Sequence, residues 1–87
     1  MNTEIFLTKN QLAELVLQVV GRKSKEHVAD RCIARQICSR ATVYRALNVD
    51  KYDPQNHTHR RVAIEAITFL KEKYSVTFEW VETPALA

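Results

Sequence analysis

Apolar residues recur along this chain at two different periods, and the change of period marks its elements. Leu12, Leu15, Val16, Val19 and Val20 follow one another at three- and four-residue steps, which places them on one side of a helix. Thr8 and Gln11 ahead of them have capping-box spacing, each side chain satisfying the other's backbone N–H. Gly21, the one glycine, stands where a helix end takes a left-handed residue. Beyond the basic connector Arg22–Lys25, with Ser24 as the expected cap, Val28, Cys32, Ile33 and Ile37 mark a second helix. Ser39 is placed to cap a third. There Val43 and Leu47 share one face, while Arg40, Ala41, Tyr44 and Arg45 fall largely on the others. The turn-rich stretch Asn48–Asn56 leads to a fourth helix, starting at Asp53-Pro54 or at Thr58. Its stripe is Val62, Ala66, Ile67, Leu70 and Tyr74, widened by Ile64 and Phe69.

The period then drops to two. Val76, Phe78 and Trp80 alternate with Thr77 and Glu79, a strand pattern over 75–82 that Pro84 closes. A strand needs a partner for its backbone groups. The sequence offers residues 3–7, TEIFL, or a second copy of 75–82 across a two-fold axis. One small domain spanning 1–87, mainly α with a short terminal β element, is the expected architecture.

Composition narrows the functional classes. Hydrophobic residues make up 46% and charged residues 26% of the 87, ordinary for a folded domain. The net charge is only +3, but it is unevenly spread. Residues 22–61 hold ten Lys and Arg against four Asp and Glu, while the two flanks hold three against six. Basic charge gathered around the third helix points to a polyanionic partner. A solvated basic surface is the plainer alternative.

Two cysteines, Cys32 and Cys38, form no disulfide framework, and reduced thiols in the cytoplasm are expected. No stretch approaches the ~20 apolar residues of a membrane span. Zinc sites favour Cys pairs two to four apart and His pairs three to five apart. Here five residues separate the cysteines, and one separates His57 from His59. Cys–His catalysis lacks a glycine-rich loop for backbone donors, and no phosphate-loop pattern is present. Neither an enzyme nor a cofactor is expected.

The segment Ser39–Asn48, SRATVYRALN, resembles the second helix of the helix-turn-helix in lac-repressor-type regulators. The matching positions are Ser39, Thr42, Val43, Arg45 and Asn48, and RRVAIEAITFL downstream is similar to that family's following helix. Two positions depart from the pattern: Ile37 stands where the family's turn usually holds Gly, and Ile33 where it holds a small residue. The resemblance implies a helix-turn-helix at about 25–48, with base contacts at the positions of Arg40, Ala41 and Arg45. Unlike lac-type repressors, the chain carries a helix ahead of the motif and shows no effector domain, so no small-molecule effector is expected. From the residues themselves, Arg40 and Arg45 suit guanine, and Tyr44 suits a thymine methyl or a phosphate. Ser39 and Thr42, being short, suit phosphates, while Lys23, Lys25, Arg60 and Arg61 flank the helix as backbone contacts.

The expected function is sequence-specific binding of double-stranded DNA by a homodimer, as a small transcriptional regulator or mobile-element control protein. A protein-interaction module with a basic face, antitoxin-like or adaptor, is the rival expectation.

Overall fold

Thr8 does begin the first helix. Its backbone is extended, its hydroxyl accepts from the Gln11 N–H at 3.1 Å, and the Gln11 side chain returns a bond to the Thr8 N–H at 3.0 Å. The computed structural model describes residues 7–78 and 80. Among the described residues four helices follow in order: α1 (Lys9–Gly21), α2 (Lys25–Ala34), α3 (Arg40–Ala46) and α4 (His57–Tyr74). The long α4 is the hub, and α1, α2 and α3 each pack on it; α2 and α3 also pack on each other. Both faces of its wide apolar stripe therefore have uses, and the core takes Val62, Ala63, Ala66, Ile67 and Leu70 from it. Leu12, Leu15 and Val19 come from α1, Val28, Ala29 and Cys32 from α2, and Val43 and Ala46 from α3, with Leu47 beside them.

The ends of the helices depart from the sequence expectation. Gly21 is the last residue of α1 and has no positive φ; Lys23, at φ 55°, is the left-handed residue. The Lys23 and Ser24 N–H groups return to Val20 and Val19 carbonyls, a closure that needs a left-handed residue two positions beyond the glycine. Ser24 does not cap α2 through its side chain. It is fully buried in the α1–α2 corner, and its hydroxyl donates to the Arg22 carbonyl at 3.3 Å. For α4 the cap is Asn56, whose Oδ1 accepts from Thr58 and His59 at 2.9 and 3.1 Å. Asp53 instead shapes the preceding turn, accepting from the Gln55 N–H.

Among the described residues there is no strand. Ser75 turns left-handed at φ 58°, and the Val76 N–H bonds back to Leu70 at 3.2 Å. Residues 75–78 thus double back on α4 as irregular chain, and the expected strand is not formed there. The period-two pattern still has a cause: Val76 is half-buried, Thr77 exposed and Phe78 buried. Phe78 joins the core, Trp80 packs against its ring at 4.9 Å, and the Trp80 indole N–H donates to Glu14 of α1 at 3.0 Å. Alternation here records one face laid on the domain, without a sheet. Residues 3–6, 79 and 81–82 of the two expected strands lie outside the described residues.

Candidate nucleic-acid interface

The segment between α2 and α3 is set by one left-handed residue. Arg35 caps α2, Gln36 takes φ 58°, and the Gln36 and Ile37 N–H groups return to Ile33 and Cys32 carbonyls at 3.0 and 2.9 Å. Ile37 and Cys38 then pack against the core. Ser39, extended, starts α3: its Oγ accepts from the Thr42 N–H at 3.4 Å and lies 3.2 Å from Thr42 Oγ1.

At about 100° per residue, α3 divides into three sectors. Val43, Ala46 and the following Leu47 are buried between α2 and α4. Opposite them Ala41 and Arg45, at i and i+4, are both exposed, and Asn48 just beyond the helix is exposed too. The remaining flank carries Arg40 and Tyr44, and it faces α2. Arg40 Nη1 lies 2.7 Å from Glu26 Oε1, and Nη2 lies 2.6 Å from Asp30 Oδ1. The Tyr44 hydroxyl donates to the other Glu26 oxygen at 2.9 Å. Hydrogen bonds that Arg40 donates, to Asp30 first and Tyr44 next, hold its pKa above the ordinary value.

The ten residues singled out by sequence are therefore dispersed. Ala41 and Arg45 stand on the outward face, and Ser39 is exposed at its start. Arg40 and Tyr44 are engaged by α2 carboxylates. Thr42 is half-buried against Ser39. Lys23 is exposed on the α1–α2 connector, and the Lys25 ammonium sits 5.6 Å from the Tyr44 ring centroid. Arg61 is exposed near the start of α4, but Arg60 is buried, with Nη1 donating to the Pro54 carbonyl at 2.8 Å. Arg60 is thereby a brace for the loop before α4 and lies off the surface expected of a phosphate contact.

Arg45 is exposed on α3 and Arg61 near the start of α4. The charge of Arg45 adds to the lowering of the His59 pKa by burial. Asn48, noted in the sequence only as a matched position, is exposed just beyond the end of α3; its Oδ1 accepts from the Asp50 N–H at 2.9 Å.

The acids Glu26 and Asp30 were not singled out by sequence reasoning. Their one sequence signal is i, i+4 spacing on α2, which is common on solvated helices; only docking of α3 gives it meaning. The Cys32 and Cys38 thiols meet across the turn, and burial, followed by the neighbouring Cys38, pushes Cys32 up to about 12. Both remain thiols at neutral pH. Among the described residues no three of His, Cys, Asp and Glu gather as metal ligands, and no described helix is long and apolar enough to cross a membrane.

Comparison with protein-family models, curated proteins and solved structures finds no match.

Proposed function

We propose that the protein binds double-stranded DNA by laying the outward face of α3 in the major groove, with α2 and α3 acting as a helix-turn-helix. The observation that carries this reading is a short helix braced on two sides, by α2 and α4, with Arg45 exposed opposite its buried residues. A major groove admits one helix, and an arginine there can bond guanine O6 and N7 together. Arg45 is the base reader, with Asn48 suited to adenine and Ala41 to a thymine methyl. Arg61, Lys23 and the Ser39 hydroxyl serve phosphates, which position the helix without reading sequence. A homodimer placing two such helices about 34 Å apart would suit a two-fold DNA site, and control of transcription or of a mobile element goes with that arrangement.

A second reading has its own observation. On α1, Ala13, Leu17 and Val20 form an exposed apolar stripe, Leu17 at 70% and Val20 at 50% exposure. Such a stripe favours a protein partner. Salt separates the readings. Duplex binding through several phosphates falls by orders of magnitude between about 50 and about 200 mM salt, whereas contact through apolar anchors does not. A fluorescence-anisotropy titration of a random duplex at both salt levels is the direct measurement. Absence of binding at the lower salt would reject the DNA reading.

A further inference from the structure

Two carboxylates of α2 meet one guanidinium at the edge of α3. Glu26 and Asp30 stand one turn apart on α2, where like charges repel. Arg40 relieves that repulsion by placing one terminal nitrogen on each, at 2.7 and 2.6 Å. The side chains are open to water: Glu26 is 72%, Asp30 64% and Arg40 40% exposed. Ion pairs this exposed add little to stability and exchange readily with other partners. Tyr44 fixes Glu26 from the next turn of α3, so the Glu26 carboxylate is oriented by two groups of the reading helix.

We infer that Glu26 and Asp30 are an intramolecular counter-anion that DNA must displace from Arg40. The inference rests on the DNA-binding reading and assigns its regulation. In the free protein Arg40 is already neutralised, so it adds nothing to the attraction of a phosphate backbone. With Lys25 beside Tyr44, the whole flank carries two positive and two negative formal charges. A random duplex therefore meets a neutral flank beside the exposed Arg45. A site that repays the exchange, by offering a phosphate or a guanine edge where Arg40 is released, gains a contact that random sequence does not supply. The acids thereby suppress non-specific binding, as unfavourable charge placed against the wrong partner does in other interfaces.

The test is a comparison of random-duplex affinity for the wild type and for the Glu26→Gln/Asp30→Asn variant. Both amides keep the size of the acids and can still accept from Arg40. The variant should bind at least about tenfold tighter at about 50 mM salt, with a salt slope steeper by about 0.9 for each phosphate gained. Adding Arg40→Gln should remove most of that gain, because the released guanidinium is its source. Equal or weaker binding by the double variant overturns the inference and leaves the DNA reading standing. A gain that survives Arg40→Gln also overturns it, since bulk charge would then be the cause. If neither wild type nor variant binds the duplex, both readings fall. Thermal melting verifies that the variants fold. Should the double variant not fold, Asp30→Asn alone keeps Glu26 on Tyr44 and must show the same change, smaller in size.

Discussion

Arg31 of α2 places its Nε 2.7 Å from Glu65 Oε1 of α4 and its Nη1 3.0 Å from Glu72. Arg35 reaches the second Glu65 oxygen at 3.5 Å. Glu65 is a buried acid, and each of its two oxygens faces one of these arginines. Hydrogen bonds to Glu65, then Glu72, hold the Arg31 pKa above its usual value. This strut fixes α2 against α4 and so sets the platform on which α3 rests.

Removing one partner of such a pair costs more than the pair itself contributes, because a charge is left desolvated. Arg31→Met should destabilise the domain by about 2–3 kcal/mol, somewhat under the fully buried case because Arg31 keeps some exposure. The Arg31→Met/Glu65→Leu double variant should recover much of that loss. Urea midpoints of the three proteins check both statements; an unchanged midpoint for Arg31→Met would place Glu65 in water.

Gln36 holds a left-handed backbone at the turn leading to α3. That conformation costs a residue with a side chain roughly 1–2 kcal/mol, and glycine adopts it freely. Gln36→Gly should therefore stabilise the fold by about 1 kcal/mol after the added chain entropy of glycine is subtracted. A rise in Tm of several degrees is the expected readout. A fall would show that the turn is held in another conformation.

His59 is buried, stacks on Tyr52 at 6.0 Å and accepts the Asp53 N–H on Nδ1 at 3.0 Å. Burial lowers its pKa from the ordinary 6.5, with Asp53 opposing the shift and Arg45 adding to it. The unfolded chain then takes up the proton first as pH falls. The stability this group contributes is complete above about 6.5 and is lost as pH drops through the lower folded value. Unfolding midpoints between pH 7.5 and 5 should fall, and His59→Gln, which keeps an acceptor, should flatten the trend. A trend of equal slope in that variant would assign the titration to another group.

Phe78 is 2% exposed, within a segment that has no regular structure. Phe78→Ala should cost about 3–5 kcal/mol, as for an aromatic lost from a core. Glu14→Ala, which removes only the acceptor of the Trp80 indole, should cost no more than ~1 kcal/mol. Equal effects of the two in calorimetry would mean that the segment is held by its polar tether and not by its ring.

Arg45→Ala should leave Tm within a degree or so, the side chain being exposed, while lowering discrimination between DNA sites by ~1–3 kcal/mol. Selection of binding sites from a random pool by both proteins is the measurement. Identical selected sites would remove Arg45 from the reading face.

Helix number and order were legible in the sequence because local terms specify them. The Thr8–Gln11 box, the Ser39 cap and the stripes of α1, α2 and α4 are short-range patterns that survive any docking. The burial of Leu47, at 1% exposure, followed from its spacing to Val43 alone. The left-handed positions were less legible: Gly21 carried the signal, but closure of α1 on Val19 and Val20 placed the conformation at Lys23. Chain direction into the next helix, a tertiary requirement, outweighed the residue preference.

What the sequence by itself determined is four amphipathic helices, a basic middle segment and an apolar face at Val76, Phe78 and Trp80. What only the tertiary structure decided is the partner of each polar group. Arg40 and Arg45 lie five positions apart on one short helix and are equivalent in the sequence. Docking turns one toward Glu26 and Asp30 and leaves the other facing water. The same holds for Arg60 and Arg61, adjacent residues of which one is buried on the Pro54 carbonyl and the other is exposed. Apolar periodicity can be read locally because burial depends on which face a residue occupies. An ion pair depends on atoms within about 4 Å that come from elsewhere in the chain, and no local pattern encodes that distance.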